Sequence, residues 1–358
     1  SPMYKSKLAA SLVPYVPGEQ PKSVERLIKV NTNENPYPPS PRVARALREL
    51  DASRLRLYPD PTAEALRAAI AEREGVATEN VFVGNGSDEV LSLAFAAYFD
   101  SGSLPVLFAD VTYSFYKVFC SLYDINYDEL PLREDMTLCV DDYIGRKAAG
   151  VVIADPNAPT ALSVAESDIR RLLEAFHDRV VILDEAYVDF SRNGSLVPLI
   201  GEYPNLVVVK TFSKSRSLAG ARCGYAIAEK SLIDTLRTVK NCFNSYTINA
   251  VTATIARESV LDDEYFAECT AKIVRTRRAA AEGLAELGFE LTDSDANFLF
   301  VRHPDMDGKR LQAELRARNI IVRRFDLPRI SDHLRITVGT DEDMQTLVRA
   351  CREILSRN

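Results

Sequence analysis

Five short runs without a polar interruption punctuate residues 62–230: Val81-Phe82-Val83, Val151-Val152-Ile153, Val180-Val181-Ile182-Leu183, Leu206-Val207-Val208-Val209 and Tyr225-Ala226-Ile227. A strand that does not alternate is one covered on both faces, so these runs predict a sheet enclosed between two layers. Residues 87–99 and 166–176 supply layer material, because their apolar side chains recur at helical spacing. Repeated strand–helix units build a largely parallel sheet, which makes this stretch an α/β domain.

The pattern changes after residue 230. A long helix is predicted over 262–287, followed by strands over 298–301, 320–322 and 334–338 and a closing helix over 341–355 with Asp341 as its N-cap. We read 46–245 as a large α/β domain and 1–45 together with 246–358 as a smaller α+β domain. The Pro- and Asn-rich stretch from Asn31 to Pro39 has loop chemistry and is expected to pack on the second domain. A chain of 358 residues, 46% of them hydrophobic, is long enough for two cores. Ser1-Pro2 ahead of Met3 reads as an expression scar.

The formal charge of -7 is dispersed, with no basic run longer than Arg277-Arg278 or Arg323-Arg324, so neither a nucleic-acid surface nor a membrane-binding one is expected. Six cysteines lie far apart with no C-x-x-C and no histidine at ligand spacing, which argues against a metal site and against a disulfide framework. No apolar run approaches the ~20 residues that cross a bilayer, and no signal-peptide pattern opens the chain; a cytoplasmic enzyme is the expectation.

Ligands of open α/β sheets bind at the carboxyl ends of strands, and those positions are polar here. Gly84-Asn85-Gly86-Ser87-Asp88-Glu89 follows the first run and opens a helix, as a phosphate cradle would. Asp184-Glu185-Ala186-Tyr187 follows the third. After the fourth come Thr211-Phe212-Ser213-Lys214 and, eight residues past the lysine, Arg222. A capped helix, a common acid pair and a solvated basic loop would be the bland readings. Together, however, these residues supply what pyridoxal phosphate (PLP) requires. Lys214 offers an amine that must be neutral to act, Asp184 a carboxylate to keep the ring nitrogen protonated, Ser213 and Arg222 a phosphate anchor, and Tyr113 an aromatic cover for the ring.

The sequence resembles the fold-type I, aspartate aminotransferase-like PLP enzymes over nearly its whole length, and within them the histidinol-phosphate aminotransferase family. The resemblance rests on Pro14-Tyr15-Val16-Pro17-Gly18, Asn33-Glu34-Asn35-Pro36, Tyr58-Pro59-Asp60, Gly86-Ser87-Asp88-Glu89, Asp184-Glu185-Ala186-Tyr187, Thr211-Phe212-Ser213-Lys214, Gly220-Ala221-Arg222-Cys223-Gly224-Tyr225 and Leu334-Arg335-Ile336-Thr337-Val338-Gly339, in that order. It implies that Lys214 holds the cofactor as a Schiff base, that Asp184 pairs with the ring nitrogen, that Asn157 and Tyr187 hydrogen-bond the ring's phenolic oxygen and that Tyr113 stacks on the ring. The phosphate would be bound by the Gly86-Ser87-Asp88 turn, by Thr211, Ser213 and Arg222, and by Tyr58 from the other chain of a homodimer with shared sites. Arg335 would take the anionic group beside the reacting carbon, with Tyr15, Asn33, Asn157 and Arg323 around the rest of the substrate.

Two departures from the family pattern stand out. Pro156-Asn157-Ala158-Pro159-Thr160-Ala161 occupies the place of Pro-Asn-Asn-Pro-Thr-Gly, and loss of the glycine is expected to alter the following turn. Val111 replaces a proline ahead of Thr112-Tyr113. The expected reaction is transfer of the amino group of L-histidinol phosphate to 2-oxoglutarate. Aromatic amino-acid transamination, decarboxylation of a phosphorylated amino acid and, outside catalysis, a PLP-binding regulator are the alternatives.

Overall fold

The computed structural model describes residues 4–22 and 25–358, so Ser1-Pro2 lies outside the described residues. Strand β1 (Ile28–Lys29) is followed by the seven strands of the main sheet, β2 (Val81–Gly84), β3 (Val106–Ala109), β4 (Tyr127–Leu130), β5 (Gly150–Ala154), β6 (Val180–Asp184), β7 (Leu206–Thr211) and β8 (Gly224–Ala228), arranged β2-β8-β7-β6-β5-β3-β4. Four neighbouring pairs are parallel; β8 alone runs antiparallel, against both β2 and β7. All five apolar runs are strands of this sheet, and β3 and β4 join it at one side.

The missing alternation in those runs has the expected cause. Val81, Val83, Val151, Ile153, Val181, Leu183, Leu206 and Val208 enter one core, beneath helices Glu64–Glu74, Glu166–Ala175 and Ala250–Val260. Their strand neighbours Phe82, Val152, Ile182, Val207 and Val209 enter a second core, against Ser87–Tyr98, Phe115–Leu122 and Lys230–Asn241. Successive residues of one strand point to opposite faces, and both faces are dry.

A second unit follows, built on β9 (Glu290–Leu291), β10 (Phe298–Arg302) and β12 (Leu334–Thr337) in the antiparallel order β12-β10-β9, with helices Asp263–Glu286, Gly308–Ala317 and Asp341–Ser356. β1 pairs in parallel with β11 (Ile320–Ile321), and Val30 packs in this unit's core beside Leu299, Leu315 and Leu347. Two sequence expectations need correction. The closing helix is capped by Thr340, whose hydroxyl accepts from the Asp343 N–H while Asp343 accepts from the Thr340 N–H; Asp341 is its first residue. A boundary at 245/246 falls inside the first core, which takes in Ile248, Ile255 and Val260 as well as Val43 from helix Pro41–Glu49. An amphipathic helix goes where its apolar face is buried, and the change of pattern after residue 230 does not report which sheet that is. Among the described residues no helix is long and apolar enough to cross a membrane.

Candidate active site

β2, β3, β5, β6 and β7 end, and β8 begins, at one edge of the main sheet. The loops leaving that edge, together with Tyr15 to Gln20, Thr32 to Glu34 and the segment running from Arg323 to Arg335, line a cleft of about 740 Å³. That is within the ~300–1,000 Å³ of small-molecule sites. The cleft contains Tyr15, Ser87, Tyr113, Asp184, Lys214 and Arg335, residues drawn together from across the whole sequence.

Asp184 is the last residue of β6 and is 5% exposed. Its carboxylate accepts from the Tyr116 hydroxyl at 2.6 Å and from the Ala186 N–H at 3.2 Å, both neutral donors. Burial pushes its pKa up from 3.8 to about 6, against the pull of those two hydrogen bonds. Lys214 shows the matching displacement. Burial, reinforced by Arg335 and Arg222, lowers its ammonium from 10.5 to about 8, while Asp88 and Glu34 oppose the shift. Its Nζ donates to the Thr32 carbonyl at 3.2 Å and lies 5.7 Å from the centre of the Tyr187 ring. A lysine near neutrality and a carboxyl held among neutral donors are groups prepared for proton chemistry.

An anion cradle lies beside them. Helix Ser87–Tyr98 has Gly86 as its N-cap, with φ 86° and no side-chain cap, so its first N–H groups are left for a ligand. A Cβ on Gly86 would sit 2.6 Å from Arg222 Nη2, and one on Gly224 would sit 2.5 Å from the Ser87 nitrogen; these two glycines let the arginine and β8 close on the turn. Arg222 donates to the Ala219 carbonyl at 3.1 Å and to Ser213 Oγ at 3.5 Å, and Thr211 Oγ1 accepts from the Ser213 N–H at 3.0 Å. No carboxylate among the described residues neutralises Arg222 here.

Asn157 and Tyr58 are not part of the cleft lining, whereas Asn33 is. Asn157 uses both amide hydrogens on Val111 O (3.0 Å) and Thr160 Oγ1 (2.9 Å), and accepts from the Thr112 hydroxyl at 2.7 Å. To reach a ring oxygen it must exchange one of these partners. Asn33, expected at the substrate, is 1% exposed and donates to the Tyr187 hydroxyl at 3.0 Å while bonding Thr337 on its other side. Its contact is with Tyr187. The Tyr113 hydroxyl donates to Asp88 at 2.7 Å, which ties the two residues together at the cleft wall. Tyr58 lies outside this cleft, 81% exposed. The turn after Asn157 is not relaxed by loss of glycine: Ala161 itself takes φ 67°, fully buried, a strain of roughly 1–2 kcal/mol that glycine would not carry.

Sequence reasoning missed Tyr116, Thr32 and Asn35. Tyr116 lies in helix Phe115–Leu122, where a tyrosine reads as core, so its bond to Asp184 left no signal in the sequence. Asn35 donates to the Lys214 carbonyl at 3.0 Å, and Asn31 accepts from Arg335 through its own carbonyl at 2.9 Å. The Asn-rich stretch is therefore a wall of the site as well as a loop.

In the same cleft Arg323 and Arg335 face each other as a bridged pair that exchanges both backbone hydrogen bonds, 3.1 and 2.8 Å. Side chains so paired leave on the same face. Arg335 donates only to the Asn31 carbonyl and leaves a buried Nε without a partner; Arg323 donates to the Val16 carbonyl at 3.3 Å. Neither has a carboxylate partner among the described residues. Tyr15, stacked on Phe115 with ring centres 4.2 Å apart, adds an aromatic wall.

These residues fit pyridoxal phosphate. Asp184 is a buried carboxylate with no cation among its partners, as a protonated ring nitrogen would need. Arg222, Ser213 and the uncapped helix start suit a phosphate, and Lys214 has a near-neutral amine. The buried acids also give a testable pH dependence. Asp184 holds its proton more tightly folded than unfolded, so its contribution to stability is fully present below pH 3.8 and is lost as pH rises through about 6. Cofactor-free Asp184→Asn should accordingly gain in Tm relative to cofactor-free wild type as pH rises from about 4 to about 6, and then run parallel to it. A Tm difference that is flat across this window would show that the carboxyl is not so perturbed.

The sequence profile of the family described as Aminotransferase class I and II matches residues 25–351. The chain is 51% identical to a histidinol-phosphate aminotransferase of Acetobacter pasteurianus, over 99% of this chain and 98% of that one. Among solved structures, the histidinol-phosphate aminotransferase of Clostridium acetobutylicum superimposes with TM-score 0.85 at 22% identity, over 93% of this chain and 100% of that one. That of Sinorhizobium meliloti, in complex with pyridoxal-5'-phosphate, gives 0.82 at 23%, over 91% of each. At such identities the structural likeness shows the fold, the fold-type I arrangement of the PLP-dependent aminotransferases.

Proposed function

The chain belongs to the class I and II aminotransferase family, and on that premise we propose that it is a PLP-dependent transaminase converting L-histidinol phosphate and 2-oxoglutarate to imidazole-acetol phosphate and L-glutamate. The observation that carries the substrate is the pair Arg323 and Arg335, side by side in the cleft with no carboxylate to neutralise them. Two fixed cations suit a phosphate dianion in one half-reaction and carboxylates in the other. The share of full-length relatives that carry the same activity in their names supports the same reading.

When bound, the cofactor supplies a ring that withdraws electrons from the substrate carbon and a carbon that accepts the amino group. The chain's residues do the rest. Asp184, steadied by the Tyr116 hydroxyl and the Ala186 N–H, keeps a proton on the ring nitrogen. Lys214 would hold the cofactor covalently at rest, and its Nζ, held beside the Thr32 carbonyl, is the group that would take up the proton lost by the substrate carbon. Its lowered pKa makes the neutral amine accessible. Tyr187, fixed by Asn33, and Tyr113, fixed by Asp88, orient the ring; Ser87, Thr211, Ser213 and Arg222 hold its phosphate. Tyr15 closes over the substrate with Arg323, and Arg335 anchors the anion in both half-reactions.

The protein would work in the cytoplasm as a homodimer, Tyr58 serving the partner's phosphate. Its own cleft does not use Tyr58, and Val16, Leu57, Tyr58 and Phe243 leave apolar surface more than half exposed on a single chain, which a partner would cover. The cofactor-binding domain would take in helices Pro41–Glu49 and Ala250–Val260 along with the main sheet.

The test of the substrate is Arg323→Ala. Loss of a charge-assisted contact should lower kcat/KM for histidinol phosphate by more than about tenfold and affect phenylalanine far less. Equal losses with both donors would assign Arg323 to general structure, and a wild type that prefers phenylalanine would make the enzyme an aromatic transaminase.

A further inference from the structure

Tyr58 and Tyr246 lie on different loops, one ahead of helix Glu64–Glu74 and the other between helices Lys230–Asn241 and Ala250–Val260, yet their rings stack with centres 4.7 Å apart and planes 22° from parallel. One buried side chain ties the two loops together. Lys240 is 4% exposed, and its ammonium donates to the Pro61 carbonyl at 2.6 Å and to the Ser245 carbonyl at 2.8 Å, with Asn241 Oδ1 at 3.4 Å. Among the described residues no carboxylate forms an ion pair with it. A buried charge whose direct partners are all neutral, with Glu89 and Asp60 acting only from beyond ion-pair distance, costs more than an apolar residue of the same size, so its effect on stability does not explain it. Burial, seconded by Arg237, lowers its pKa in keeping with that cost.

What the clamp fixes is geometry. Pro61 lies three residues beyond Tyr58 and Ser245 immediately precedes Tyr246, so one ammonium sets the separation of the two backbones on which the stacked rings stand. An exposed tyrosine on an untethered loop would lose conformational freedom when it engaged a ligand; one already held by a neighbouring ring loses less. We infer that Lys240 is a positioning residue that holds Tyr58, through the Pro61 and Ser245 carbonyls and the Tyr246 ring, in the orientation from which it binds the cofactor phosphate of the partner subunit. This inference rests on the role proposed above for Tyr58.

Hybrid dimers separate this from a general structural role. Lys214→Ala on one chain leaves a single site with the lysine-linked cofactor absorption, and that site receives Tyr58 from the chain lacking Lys214. Lys240→Met on the Lys214→Ala chain should speed release of PLP from the remaining site by about tenfold, the scale of one hydrogen bond to a charged group. The same change on the chain that retains Lys214 should leave release at the rate of the hybrid without it. Lys240→Arg, which keeps the charge and its donors, should restore slow release. If Lys240→Met does not assemble, Lys240→Gln, which keeps one donor, carries the same comparison. Equal acceleration in both arrangements, or none in either, while Tyr58→Phe on the Lys214→Ala chain does accelerate release, overturns the role of Lys240. If that Tyr58→Phe hybrid releases cofactor at the reference rate, the reading of Tyr58 fails, and the inference with it.

Discussion

Lys214→Ala is expected to abolish turnover while cofactor still binds noncovalently. The phosphate anchors and Asp184 are untouched by the substitution, but the amine that moves the proton at the substrate carbon is gone. General acid–base participation alone is commonly worth 10²–10⁴-fold, so a fall of at least ~10³ is expected once the covalent role is lost as well. Borohydride reduction of the wild type should fix the mass of the cofactor on the peptide that carries Lys214. Lys210 is the competitor closest in sequence, and the structure gives it another partner: its Nζ pairs with Glu74 at 2.9 Å, with Tyr225 on the same carboxylate. Label on Lys210 or Lys230 would refute the assignment.

The second large effect is expected at Asp184. Asparagine keeps the shape and can still meet the Tyr116 hydroxyl, but it has no charge with which to hold a proton on the ring nitrogen. The half-reaction should slow by orders of magnitude with cofactor bound, measured as single-turnover loss of the lysine-linked absorption on mixing with amino donor. A variant keeping more than about a tenth of the wild-type rate, a loss of only ~1.4 kcal/mol, would mean that another group protonates the ring. Because Asp184 is 5% exposed and flanked by neutral donors, no other anion stands ready to replace it among its hydrogen-bond partners.

The parts of this site legible in the sequence were those in which chemistry and position coincide. Asp184, Lys214 and Gly86-Ser87 sit at strand ends, where a polar residue after an apolar run is conspicuous, and each strand was readable because burial on both faces suppresses alternation. Tyr116 was not legible, since a tyrosine inside an amphipathic helix looks like core, and here it is core that also donates a hydrogen bond. Asn33 does line the cleft, but its bond to the Tyr187 hydroxyl was not legible; sequence marks the residue type and leaves open which neighbour it meets across 154 positions. The register that sets Arg323 opposite Arg335 was equally hidden, because a bridge between isolated residues leaves no periodic trace. The domain boundary was hidden for a related reason: the apolar face of helix Ala250–Val260 shows in the sequence, but its burial against the first core does not.

The most direct test of the central claim is a half-reaction run without an acceptor. PLP-loaded protein mixed with one equivalent of L-histidinol phosphate per site should convert its cofactor to the amino form in a single turnover, releasing one equivalent of imidazole-acetol phosphate, identified by mass, and no carbon dioxide. An unchanged cofactor with histidinol phosphate, alongside rapid conversion by phenylalanine or tyrosine, would contradict it.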